Sequence, residues 1–149
     1  GGGRSLAFAA PGRPQPKTVW VPLRYRIVLN DAVPPESQYA SLAHELAHLY
    51  CGHLGTPNEN WWPDRHRLDV RTCEFEAESV AYLVCARCGI ENPSAQYLVH
   101  FCKGNEAVPV VSIDTIMKAA GLIEQMGRQR MPERKGESAQ PSFDLEQAT

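Results

Sequence analysis

The sequence predicts a compact, mainly helical α+β fold with a small N-terminal β-sheet. Two observations carry the helical part. Residues 37–51 and about 70–88 both have helical period, and each places small and chemically active side chains along one face. A third observation carries the sheet: residues 18–30 alternate in the manner of a strand, with Tyr25, Ile27 and Leu29 set against Arg24, Arg26 and Asn30. At 149 residues the chain can build one core without cross-links. A net charge of −2 gives no general attraction to nucleic acid or to an anionic membrane surface. The longest apolar run, Val80 to Ala86, is too short to span a bilayer, and no signal-peptide pattern is present. Five cysteines form an odd set without the look of a disulfide framework, which points to a reducing cytoplasm. The chain opens at Gly1 without Met, as a fragment or processed form does.

Taken in order, residues 1–17 hold Pro11, Pro14 and Pro16 among glycines and read as a flexible arm or linker. The main domain is expected over 18–131. Its strand passes through Pro22, which cannot donate to a ladder and favours an edge position. The first helix is expected from Ser37, as N-cap, to a stop at Gly52 or Gly55. Ala40, His44, Ala47, His48 and Cys51 share one side of it, and His53 falls opposite His44 if the helix continues. A polar loop over 52–68 carries Trp61 and Trp62, either as a wall over a site or as loop anchors. The second helix is expected to be capped by Asp69 or Thr72 and to end at Gly89. On it Glu74, Glu78, Ala81 and Cys85 line one face while Glu76 points away. A short helix follows from Ser94 to about Cys102, then a brief extended piece over 108–111. A last helix from Ser112 or Asp114 carries the stripe Ile113, Ile116, Met117, Ala120, Ile123 and Met126. Residues 132–149 read as a disordered tail.

The chemistry concentrates in His44-Glu45-Leu46-Ala47-His48, an HExxH pattern. On a helix it sets two imidazoles on one face at i and i+4, with a carboxylate beside them. Zinc held by two histidines needs a third protein ligand and an open position for catalysis. Glu74 is the first candidate, on a second helix whose face is otherwise small and apolar. Glu78, one turn on, is either an alternative ligand or the group that accepts a proton from a ligand histidine. Asp64, His66 and Asp69 are the remaining options. Glu45 can reach a metal-bound water as general base without binding the metal. The bland alternative is a surface helix with solvated histidines. Against it stand Leu42, Leu46 and Leu49 around the motif and the matched carboxylate face downstream.

The pairing of His44–His48 with Glu74-Phe75-Glu76-Ala77-Glu78-Ser79-Val80-Ala81-Tyr82 resembles the ImmA/IrrE-type metallopeptidases, a gluzincin group with a zincin-like fold. It is similar also to the metallopeptidase-like domain of ArdC-type antirestriction proteins. The resemblance spans about residues 25–131, and its specific part is the two helices. It implies Glu74 as the third zinc ligand and Glu78 as the supporting residue. Glu78 stands where many members carry Asn or Asp, which keeps both carboxylates in play as ligands. The activity implied is that of a zinc-dependent endopeptidase, a Glu45-activated, zinc-bound water attacking a peptide carbonyl. The implied substrate is a regulatory protein such as a transcriptional repressor. The other class of reading is a DNA-associated antirestriction or mobile-element protein whose metal domain serves binding or structure.

Further side chains have competing readings. His53 lies five residues after His48, one short of the metzincin spacing, and is expected at the surface or in a loop contact. Tyr25–Asn30 can be plain core or an edge for an extended peptide. Tyr82, His66 and Arg65 are the candidates for stabilising an oxyanion. Cys85-Ala86-Arg87-Cys88 reads as small buried side chains, rather than a redox pair or a second zinc site with His100 or Cys102. Arg128 to Lys135 is basic, as a solvated helix end is, and DNA contact is the lesser reading.

Overall fold

A computed structural model of the chain describes residues 24–91, 94–103 and 107–131, with the backbone alone at 101–103. These residues contain four helices, α1 (Pro35–Tyr50), α2 (Val70–Arg87), α3 (Ser94–Lys103) and α4 (Ile113–Arg128). The expected N-terminal β-sheet, and with it the α+β class, is overturned: the described residues are helical and contain no strand. Residues 24–30 run as irregular chain. Alternation alone does not make a strand, which needs a neighbouring ladder for its backbone groups, and none is found among the described residues. None of Tyr25, Ile27 and Leu29, the expected apolar face, is fully buried, and Ile27 is 36% exposed. Tyr25 instead leans on the Trp62 ring, centroids 6.5 Å apart. Residues 18–23 of the expected strand, the arm at 1–17 and the tail at 132–149 lie outside the described residues.

The helix ends follow from local chemistry. α1 starts earlier than a Ser37 cap implies: Pro34 is its N-cap and Pro35 its first residue. The ring fixes φ in the helical range, and the missing N–H falls where none is needed. At the other end Gly52 takes φ +79°. Its N–H bonds to Leu49 O at 3.0 Å, and the His53 N–H bonds to His48 O at 3.0 Å, the paired closure of a Schellman turn. α2 is capped by Asp69, whose carboxylate accepts from Thr72 N at 2.9 Å and Thr72 Oγ1 at 2.7 Å. It closes as α1 does, with Ile90 N–H on Cys85 O at 2.9 Å. Ser112 caps α4, accepting from Thr115 N at 3.3 Å.

α2 packs against all three other helices, and α1 also meets α4. Small side chains fill the centre: Ala43, Ala47, Cys51, Ala77 and Ala81 are at most 1% exposed. They let helices approach closely, which brings functional groups on one within reach of the other. Val80 and Val84 of α2 and Ile116, Ala119, Ala120 and Ile123 of α4 complete the core with Tyr50 and Trp62. The α4 stripe is narrower than its periodicity suggests, since Ile113 is 69% and Met117 45% exposed. Met126 is partly covered, its sulfur accepting from Tyr50 Oη at 3.0 Å.

Candidate metal centre

Helical spacing puts His44 and His48 on one face of α1, and α2 brings Glu74 to meet them. The two Nε2 atoms are 3.1 Å apart. Glu74 Oε2 lies 3.5 Å from His44 Nε2, and Glu74 Oε1 lies 3.5 Å from His48 Nε2. Each residue offers one ligand atom, all within 4.8 Å of one another. Three electron-rich atoms from two imidazoles and a carboxylate repel each other unless a cation or proton is shared among them. The donor set of two nitrogens and an oxygen fits a divalent metal with a position left open.

Glu78 takes a different place. Its Oε1 is 3.3 Å from His44 Nδ1, the nitrogen facing away from Glu74. Burial pushes the Glu78 carboxyl up, but hydrogen bonds from His44 and Ser94 outweigh it and hold it below the ordinary range. The same hydrogen bond raises the pKa of His44 against the effect of burial. His48 moves the other way: burial lowers its pKa, opposed by the Glu74 charge and reinforced by His44 and His53.

Behind His48 stands a group that helical geometry does not foresee. His53 is not at the surface; its side chain is 2% exposed. Its Nδ1 lies 3.0 Å from His48 Nδ1 and its Nε2 3.0 Å from Glu76 Oε2. Glu76, pointing away from Glu74 as expected, is fully buried. Arg65 grips it with two bonds, Nη1 to Oε2 at 2.6 Å and Nη2 to Oε1 at 2.7 Å. The Ser112 N–H adds a bond of 2.8 Å to Oε1. Burial raises the Glu76 carboxyl, but these donors prevail and bring it down to about 2. Cys51, His53 and Glu76 also cluster like metal ligands. The Arg65 guanidinium already occupies both Glu76 oxygens, so that carboxylate is engaged with a cationic side chain.

Glu45 is exposed on α1. With Ser37, Ser41, His44, Glu78 and Ser94 it lines a cleft of about 270 Å³. The other ligand options are engaged elsewhere, Asp69 as the α2 cap and Asp64 with His66 at 2.6 Å. Of the oxyanion candidates, Arg65 is committed to Glu76, His66 pairs with Asp64, and Tyr82 lines a separate cavity with Gly89 and Ile90. Tyr97 of α3, which the sequence did not single out, lies in the field of the site. Burial and the charges of Glu74 and Glu78 push its phenol up. Trp62 anchors the loop, giving its Nε1–H to Gly55 O at 3.0 Å and its face to Tyr50, centroids 5.5 Å apart. The cavity beside Trp61 and Trp62 contains none of the candidate ligands. Cys85 is buried and Cys88 exposed, and neither is in a disulfide among the described residues.

No helix among the described residues is long and apolar enough to cross a membrane. Neither a curated protein nor a solved structure matches the chain. The profile of the peptidase M78 family, described as the IrrE N-terminal-like domain, matches residues 8–86. That span is more than half the chain, and it contains α1, all of α2 but its last residue, and every residue of the His44, His48 and Glu74 cluster. The chain therefore belongs to the peptidase M78, IrrE N-terminal-like, family.

Proposed function

We propose that the protein is a zinc-dependent endopeptidase, with His44, His48 and Glu74 as the metal ligands and Glu45 as general base. The observation that carries this reading is the convergence of His44 Nε2, His48 Nε2 and the Glu74 carboxylate, within 4.8 Å of one another. Zinc accepts this His₂Glu set with an open position, and when bound it supplies Lewis acidity toward a peptide carbonyl and toward water. Glu78 orients His44 from behind. Glu45, exposed in the cleft beside His44, takes the proton of the attacking water on its carboxylate and passes it to the leaving amide nitrogen. A regulatory protein such as a transcriptional repressor is the proposed substrate, following the resemblance of the two-helix motif.

The test pairs metal content with peptide cleavage. The parent is expected to take up about one zinc per chain, held by the His₂Glu set. Glu45→Gln should retain the metal while cleavage falls by roughly 10²–10⁴-fold, the usual contribution of a general base. Undiminished cleavage by Glu45→Gln would remove Glu45 from the reaction. Parental zinc content in Glu74→Gln, with loss only in Glu78→Gln, would exchange the roles of the two carboxylates.

A further inference from the structure

We propose that His53 is a positioning residue for the metal centre, the middle of a hydrogen-bond chain from Arg65 through Glu76 and His53 that fixes the His48 proton on Nδ1. The proposal rests on the reading of His44, His48 and Glu74 as ligands. The direction of the chain follows from its far end. A guanidinium only donates, and Arg65 gives one N–H to each Glu76 oxygen, at 2.6 and 2.7 Å. The Ser112 backbone N–H is also a donor, at 2.8 Å from Oε1. Glu76 is thus an acceptor throughout, and His53 Nε2, 3.0 Å from Oε2, must carry a hydrogen. Arg65 balances the Glu76 charge, so the chain is complete with His53 neutral. Its single proton is then on Nε2, and its Nδ1 is an acceptor. His48 Nδ1, 3.0 Å away, has to be the donor. A neutral His48 has no further proton, and its Nε2 turns a bare lone pair toward His44 Nε2 and Glu74 Oε1.

The fold arranges this through the turn at the end of α1. Gly52 at φ +79° reverses the chain, and the bond from the His53 N–H to His48 O brings the two imidazoles side by side. The rings meet edge to face, with centroids 5.1 Å apart. With the His53 side chain only 2% exposed, water has little access to offer His48 Nδ1 an alternative partner. Partners behind a ligand histidine commonly control metal affinity by roughly 10–100-fold. Here that partner is a histidine whose own orientation is held by an ion pair with a fully buried carboxylate.

Nuclear magnetic resonance on the ¹⁵N-histidine-labelled full chain, titrated with zinc alone, tests the chain directly. Expected are the Nδ1–H form of His48 and a nitrogen–nitrogen coupling through the hydrogen bond to His53 Nδ1. A folded, zinc-loaded parent without that coupling overturns the proposal, and needs no variant to do so. Zinc competition against a chelator then compares His53→Leu, which removes the acceptor, with His53→Gln, whose amide can accept from His48 and donate to Glu76. The leucine variant should bind zinc roughly 10–100-fold more weakly. The glutamine variant should recover most of the loss, with helix content in chelator unchanged. Parental affinity in His53→Leu overturns the proposal while leaving the ligand assignment intact. A parent that binds no zinc removes the ligand assignment itself, and the proposal with it.

Discussion

The two histidines of the site are supported in opposite ways. His44 leans on Glu78, a carboxylate with a fifth of its side-chain surface in solvent, at 3.3 Å. His48 leans on His53, which leans on Glu76, which is fully buried and held by Arg65 and by the N-terminus of α4. One support involves α1, α2 and the first residue of α3, Ser94, which also bonds to Glu78. The other draws on the turn after α1, the loop over 52–68 and the start of α4. A local support can be altered with local consequences, whereas a distributed one ties the metal centre to the integrity of the fold.

The largest expected effect is at Gly52. A Cβ there would lie 1.9 Å from the Pro63 carbonyl oxygen, at a φ of +79° that side chains avoid. Gly52→Ala should cost well over the roughly 1–2 kcal/mol of left-handed strain alone, and should release His53 from His48. Gly89 closes α2 with the same turn at φ +70° but has open space around its Cβ position. Gly89→Ala should therefore cost only about 1–2 kcal/mol. Thermal and urea unfolding of the two variants in chelator measures the gap, and equal losses would show that the crowding at Pro63 is unimportant.

Next come the two carboxylates. Glu76→Gln removes the fully buried carboxylate and leaves Arg65, itself 19% exposed, without its counter-charge, a change that typically costs about 3–5 kcal/mol. Glu78→Gln acts on a partly solvated pair and should cost about 1 kcal/mol or less. If urea denaturation gives the two variants the same stability, the contrast between local and distributed support is wrong. A smaller effect follows from pH. Glu76 titrates near 2 in the folded chain against an ordinary value of 4.5. Since the folded value is the lower one, its stabilisation is complete above about pH 4.5 and fades as pH falls from there toward 2. The amount is about 3 kcal/mol, from the size of that shift. Metal-free parent should lose stability across this window, and Glu76→Gln should lose correspondingly less.

Much of the helical frame was readable from local chemistry. Asp69 and Ser112 cap α2 and α4 as their side chains suggest, and Gly52 and Gly89 stop α1 and α2. The spacing of His44 and His48 and the face shared by Glu74 and Glu78 depend only on helical period, which local sequence reports well. The β-sheet was misread because alternation at Tyr25, Ile27 and Leu29 says nothing about whether a partner strand exists. His53 is a buried turn contact rather than a surface residue, because Gly52 reverses the chain one residue before it and a helical wheel does not apply there. Glu76 could be assigned to the far side of α2, but its burial depends on donors from His53, Arg65 and Ser112, which only the assembled fold brings together. A signal was present all the same: a carboxylate on the core side of a helix requires cationic or N–H partners.

The bond from the Ser112 N–H to Glu76 bears on where this protein can be divided. The family match ends at residue 86, yet α4 begins at Ile113, covers the core with Ile116 and Ile123, and supplies a donor to the deepest carboxylate. A chain cut at that boundary would keep His44, Glu45, His48 and Glu74 and still lose one of the four donors that hold Glu76. The autonomous folding unit is thus larger than the stretch that carries the chemistry, and α4 belongs to it as a structural subunit in all but covalent separation.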